Sequence, residues 1–199
     1  MALSPHEFHD HARRAADGEG RLPLSRMTYW DIFPFEPDGL QVAPLRDPVL
    51  PEPIRHGEDG TPCHNCTSDA GVWRDDHWRL ERFAPAGVPL LLMLVPRGHV
   101  DLASLDDDRA RELGLLTVHI SRAVEALPYI ARAHVSRWGD GGAHLHVFFW
   151  ARPEGQFQLR GSCLPVWDDL LPEYPEEVAA ADAARVARAV ADSYGGVAS

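Results

Sequence analysis

The sequence contains no lysine, and all 19 of its basic residues are arginine. This absence excludes Schiff-base chemistry, a lysine general base and the phosphate-binding lysine of a Walker A loop. Polar chemistry in this chain must therefore come from histidine, cysteine, aspartate, glutamate and arginine.

Long apolar runs and cysteines are also scarce. The longest uncharged apolar stretch, residues 88–96, is far shorter than the roughly 20 residues that cross a bilayer. The N-terminus is acidic and lacks the apolar segment of a signal peptide, so we expect a cytoplasmic protein without membrane association. Two of the three cysteines share one C-x-x-C motif, which argues against a disulfide scaffold. The net charge of −11 disfavours binding to nucleic acid polymers.

The hydrophobic fraction of 45% over 199 residues is enough to build a sizeable core. Seven prolines between residues 33 and 62 forbid long helices and central strands there. We therefore predict an N-terminal part, 1–61, with one helix over about 7–16 and a Pro-rich arm. Residues 62–199 are predicted to form the folded domain.

Hydrophobic patterning predicts the elements of that domain. Three short strands precede a long helix, two strands follow it across a glycine-rich, hairpin-type connection, and a second helix ends the chain. This order is typical of an α+β fold, an antiparallel sheet with its helices on one side. The predicted strands cover 72–74, 78–83, 90–95, 131–138 and 144–151, and the helices cover 107–127, capped by Asp106, and 176–194.

Cys63 and Cys66 form the C-x-x-C motif. A thioredoxin-like redox pair opens a helix directly after a strand, whereas this motif follows a Pro-rich coil. Two thiolates on one tight turn instead suit half of a zinc site, which needs further ligands from elsewhere. Cys163 is one candidate for a further ligand, and a histidine is a better one. The remaining interpretation is that the motif occurs by chance.

His144 and His146 flank a leucine in an otherwise apolar strand pattern, so strand alternation places both imidazoles on one face. They are either a solvent-facing pair or ligands of a site, and the apolar surroundings favour ligands. His99 follows the end of another apolar strand. Cys63, Cys66, His99 and one histidine of the pair would make a complete Cys₂His₂ set, which is typical of a structural zinc site.

Together these motifs resemble the histidine-triad (HIT) superfamily, in particular its zinc-containing branches and the related galactose-1-phosphate uridylyltransferases. The resemblance covers about half the chain, residues 62–153. It is carried by the C-x-x-C, by Pro-Arg-x-His ending at His99 and followed by Leu102 and Leu105, and by the sequence HLHVFFWAR at 144–152. It implies a HIT-like antiparallel sheet with a long helix on one face, and a homodimer, which is common in the family.

The resemblance also implies roles for individual residues. His144 and His146 match the first two histidines of the family motif when Arg152 matches its terminal arginine; the other register puts Gly142 at the first histidine. In the preferred register, Cys63, Cys66, His99 and His144 hold zinc, and His146 is the nucleophile that attacks a nucleotide phosphorus.

Two departures from the family pattern bear on function. Phe148 stands where the family has a third histidine or a glutamine, and the loop at 137–143 lacks the usual polar donors. We expect Arg137, Gly141, Gly142, Phe148 and Arg152 to contact the ligand. The leading interpretation is a HIT-like hydrolase or nucleotidyltransferase for a nucleotide-like small molecule. The alternatives are a non-catalytic ligand-binding module and a repurposed enzyme with His146 as general base.

Overall fold

A computed structural model of the protein describes residues 4–44 and 46–199, which fall into two compact units. The first extends to Pro53 and contains helix α1 (Pro5–Arg13) and a 3₁₀ turn at Arg26–Tyr29. Helix α1 starts earlier than the sequence predicts because Ser4 caps it. The Ser4 hydroxyl accepts from the Glu7 amide at 3.3 Å, while the Glu7 carboxylate accepts from the Ser4 amide at 2.7 Å.

The second unit, Ile54–Ser199, is built on a six-stranded sheet in which all neighbouring strands are antiparallel. The order across the sheet is β4-β5-β3-β2-β1-β6, so the predicted α+β class is confirmed. The short strand β6, which pairs with β1, was not predicted. The strands are β1 (Trp73–Arg74), β2 (Trp78–Arg82), β3 (Leu91–Pro96), β4 (Ile130–Ser136), β5 (Val147–Pro153) and β6 (Val197–Ala198).

Two long helices, α3 (Asp107–Glu125) and α5 (Glu176–Ser193), cover one face of this sheet. Leu116 and Ile120 of α3 pack with Val186 and Val190 of α5 in the main core. Helix α3 begins as predicted, because the Asp106 carboxylate accepts from the Arg109 amide at 2.8 Å. No helix among residues 4–44 and 46–199 is long and apolar enough to span a membrane.

The opposite face of the sheet carries a smaller hydrophobic cluster. It joins Trp150 of β5 to Leu159 and Leu164, and the partly buried Phe148 packs against it. Leu164 opens helix α4 (Leu164–Leu170), which was not predicted and lies on this second face. The remainder of the face, toward the start of β5, carries the candidate site.

His144 and His146 do not lie in a strand, contrary to the sequence prediction, because β5 starts at Val147. The connection from β4 is correspondingly ten residues long rather than a tight hairpin. The backbone of this connection forms hydrogen bonds to other loops. The Ala143 amide donates to the His56 carbonyl at 2.9 Å, and the Leu145 amide donates to the Val100 carbonyl at 2.8 Å. The segment is therefore extended but held between two loops.

Candidate metal cluster and histidine site

Four side chains predicted as metal ligands come together at the end of β3. One ligand atom from each of Cys63, Cys66, His99 and His144 lies within 4.8 Å of the other three. The His144 Nδ1 is 3.4 Å from each sulfur, and the His99 Nδ1 is 3.2 Å from the Cys66 Sγ. Cys163, the other candidate ligand, lies apart from this cluster, buried at the start of α4.

The two cysteines share a side of one helical turn. Cys63 is the N-cap of the four-residue helix α2 (His64–Thr67), and the Cys66 amide donates to the Cys63 carbonyl at 3.2 Å. A buried arginine on β2 supports this turn, since the Arg79 Nη2 donates to the Asn65 carbonyl at 2.7 Å. Arg79 also forms an ion pair with Glu81.

His144 is buried and its ring orientation is fixed. Its Nε2 donates to the Pro96 carbonyl at 2.8 Å, which leaves the lone pair on Nδ1 facing the sulfurs. Burial lowers the pKa of His144, although the Pro96 carbonyl opposes this shift. The neutral imidazole with its lone pair on Nδ1 is the form that binds a metal ion.

The dimensions of the cluster fit a tetrahedral ion that takes sulfur and nitrogen ligands. Zinc bound at about 2.3 Å to sulfur and 2.0 Å to nitrogen would separate the two ligand atoms by about 3.5 Å, close to the observed 3.2–3.4 Å. Burial and the neighbouring Cys63 raise the pKa of the Cys66 thiol. A divalent cation would reverse that effect, because it favours the thiolate.

His146 lies beside this cluster but points its ring differently. Its Nδ1 donates to the His144 carbonyl at 2.8 Å. This bond fixes the tautomer that leaves the lone pair on Nε2. The half-buried ring also meets Phe148 edge to face, with centroids 5.5 Å apart. The Nε2 atom of His146 thus carries a lone pair that a ligand could use.

The loop before His144 is held by an ion-pair network centred on Asp101. The Arg137 Nη2 donates to the Asp101 Oδ1 at 2.5 Å, while the Arg55 Nη1 donates to the Asp101 Oδ2 at 2.8 Å and to the Gly139 carbonyl at 2.9 Å. Although burial acts to raise it, these bonds hold the pKa of Asp101 below its usual value. Arg137, a predicted ligand contact, is thus already paired with a carboxylate.

The other predicted ligand contacts are spread more widely. The Gly141 carbonyl accepts from the His56 amide at 3.2 Å, and Gly142 forms a parallel bridge with His56. Phe148 lies next to His146, whereas Arg152 lies four residues beyond Phe148, roughly 13 Å along the strand. Its guanidinium donates to the Pro153 and Gln156 carbonyls instead.

Sequence reasoning missed the residues that support the site. In β2, the charged residues Arg79 and Glu81 alternate with the apolar residues Trp78 and Leu80. Strand alternation places the two charged side chains on the same face, and this pattern could have predicted that they pair. Arg55 offered no comparable signal, because its partner Asp101 is 46 residues away in the sequence.

Sequence comparison finds no matching family model and no matching curated protein. Among solved structures, the chain is similar to a histidine triad protein from Bradyrhizobium japonicum, at 20% identity over 60% of this chain and 89% of that one, with a TM-score of 0.50. It is also similar to a zinc-bound histidine triad family protein from Mycobacterium smegmatis, at 14% identity over 61% and 83% of the two chains, with a TM-score of 0.46.

A mutant uridylyltransferase matches at 19% identity over 65% of this chain and 47% of that one, with a TM-score of 0.43. The likeness to the Bradyrhizobium japonicum protein, at a TM-score of 0.50, shows the fold alone and carries no activity over to this chain. The chain has a histidine triad-like fold, as the sequence motifs predicted.

Proposed function

We propose that this chain, which has a histidine triad-like fold, is a zinc-containing hydrolase or transferase that cleaves a phosphate bond of a nucleotide-like small molecule through His146. The observation that carries the proposal is the hydrogen bond from the His146 Nδ1 to the His144 carbonyl. It commits the lone pair to Nε2 of a ring that lies beside Phe148.

In the proposed reaction, the His146 Nε2 attacks phosphorus. A P–N bond forms as the P–O or P–N bond to the leaving group breaks, and the leaving group takes a proton from solvent. Water or an acceptor hydroxyl then attacks phosphorus and loses its proton to solvent, while the P–N bond to His146 breaks and the neutral imidazole is released. The His144 carbonyl faces the Nδ1–H throughout, so it stabilises the positive charge that the ring carries while it is substituted.

The four-residue cluster would hold the zinc ion, with Cys63, Cys66, His99 and His144 as its ligands. Four protein ligands leave no open position, so the ion would be structural and would supply rigidity rather than chemistry. His144 would link the two functions: its side chain binds the ion, while its backbone carbonyl orients His146.

A second candidate, a binding module without catalysis, is favoured by the scarcity of phosphate donors. In the preferred register of the motif, Phe148 stands where the family has its third histidine, and the guanidinium of Arg137 is paired with Asp101. Loss of one transition-state donor costs about two to three orders of magnitude in rate. Binding without turnover would therefore follow if no other donor replaces these two.

One comparison of variants tests both candidates. We expect wild type to contain about one zinc per chain, His146→Ala to keep it, and Cys63→Ser to lose it. Incubated with one phosphoanhydride, one phosphoramidate and one phosphodiester of a nucleoside, wild type should turn over at least one of them. Intact-protein mass spectrometry should then detect the histidine adduct, which His146→Ala cannot form.

His119→Ala is the matched control, because His119 lies on α3 and bonds to Ser193 of α5. It should keep both zinc and activity. Binding of a nucleotide without turnover or adduct would support the second candidate, and equal turnover by His146→Ala would contradict the proposed nucleophile.

A further inference from the structure

Four aromatic side chains form a continuous cluster on the sheet face beside His146. Phe148 is central to this aromatic cluster, with ring centroids 5.6 Å from Phe83, 6.0 Å from Trp138 and 6.0 Å from Trp150. Trp138 and Trp150 are 6.2 Å apart. These are the separations of favourable aromatic contacts, so the four rings support one another.

The cluster has a buried base and an exposed rim. Trp150 is only 7% exposed and donates from Nε1 to the Ser136 hydroxyl at 2.8 Å, which fixes its ring. Phe83 and Trp138 are 47% and 48% exposed. Exposing two large rings around a third is costly in water and is typical of a binding surface.

The exposed area is too small for a stable contact between two protein chains. A large aromatic side chain buries about 150–250 Å², so two half-exposed rings offer roughly 200 Å². A stable protein interface needs about 800 Å² on each partner. The surface is therefore sized for one or two rings of a small ligand.

The two arginines next to the rim residues in sequence are both paired with carboxylates, so the rim is not strongly cationic. Arg82 precedes Phe83 and is paired with Glu176, and Arg137 precedes Trp138 and is paired with Asp101. The rim is thus suited to an uncharged flat group, and phosphate oxygens are better placed at the histidine than among the rings.

We propose that the aromatic cluster binds a flat aryl or heteroaryl group of the ligand, stacked on Trp138 and Phe148, so that the attached phosphate lies at His146. The substrate class would then be phosphate esters or amides that carry a flat aromatic group. The choice of phosphate as the attached group rests on the proposed function; the preference for a flat ring does not.

Phenyl phosphate and cyclohexyl phosphate provide the test, because they share charge and carbon number and differ in whether the ring is flat and aromatic. Titration calorimetry with zinc-loaded His146→Ala protein measures binding without turnover. We expect phenyl phosphate to bind roughly 3- to 10-fold more tightly, in line with a single aromatic contact.

Trp138→Leu and Phe148→Leu should each remove most of this preference, while Phe157→Leu should retain it. Phe157 is a matched control because it is also exposed but packs under Arg160, with its ring centroid 3.6 Å from the guanidinium carbon. Equal binding of the two phosphates, no binding of either, or a preference that survives both substitutions would overturn the proposal. A preference for the phenyl ring in a protein that never forms an adduct would support the aromatic site and reject catalysis.

Discussion

At the scale of single residues, the most consequential contact outside the metal ligands is made by Arg79. Its side chain is 4% exposed, pairs with Glu81 and donates to the backbone of the C-x-x-C turn. A buried arginine is tolerated only when its hydrogen bonds are satisfied. Arg79 therefore holds α2 against β2 and places both sulfurs.

We predict that Arg79→Met lowers the free energy of unfolding by about 3 kcal/mol, since it leaves the largely buried Glu81 carboxylate without its ion-pair partner and the Asn65 carbonyl without this donor. The double variant Arg79→Met, Glu81→Leu should recover a large part of this loss, because no buried charge then remains unpaired. Urea unfolding of the zinc-loaded proteins measures both values. Additive losses in the double variant would contradict a coupled pair.

The sequence alone predicted the site residues that belong to short, recognisable motifs. A C-x-x-C on a turn, a histidine after a strand and an H-x-H pair each have a recognisable spacing, and the structure brings four of these residues together. Residues whose role depends on a distant partner were missed. Phe83, for example, reaches Phe148 only because β2 and β5 both flank β3.

At the scale of elements, the site is held by loops that border the sheet. The predicted strand over 144–151 is wrong at its start, because the segment before Val147 bonds to His56 and Val100 instead of β4. Alternation of apolar residues does not distinguish a strand from an extended segment that pairs with loops. The order of the main strands and helices was nevertheless predictable from their patterning.

Gly57 lies directly against two residues of the metal cluster, His99 and Cys63. It has φ +86°, and a Cβ added there would lie 2.9 Å from the His99 Cε1 and 3.2 Å from the Cys63 Cβ. Gly60, in the same loop, has φ +78° but has no atom within 4 Å of such a Cβ. A substitution at either glycine strains the backbone, but only a substitution at Gly57 also contacts the cluster.

We predict that Gly57→Ala and Gly60→Ala each cost about 1 kcal/mol of stability through the left-handed backbone. Only Gly57→Ala should also weaken zinc binding, by roughly 10-fold or more, because His99 and Cys63 must move. Competition with a chromogenic chelator measures the affinity. Equal affinities for the two variants would show that this loop does not shape the cluster.

At the scale of the whole molecule, the sheet separates two tasks. The face under α3 and α5 forms the main core, and the other face carries the aromatic cluster and His146. The metal cluster lies at the end of β3, where the chain leaves the sheet. Ligand binding at the proposed site would therefore use residues outside the main core, although Trp150 also belongs to the smaller core cluster.

The net charge of −11 acts on any anionic ligand that approaches this site. The field of a charged protein extends about 30 Å at 0.01 M salt and only about 8 Å at 0.15 M. Repulsion of an anion should accordingly weaken as salt is added. Because Arg137 is already paired with Asp101, it contributes little attraction of its own.

We therefore predict that the affinity of the protein for phenyl phosphate rises roughly two- to fivefold between 0.01 and 0.15 M sodium chloride. Phenol, which carries no charge at neutral pH, is the control, and its binding should be nearly independent of salt over this range. Titration calorimetry at each salt concentration measures both. A fall in phenyl phosphate affinity with added salt would mean that arginines near His146 outweigh the net charge, and Arg137→Gln should then abolish that fall if Arg137 is the group responsible.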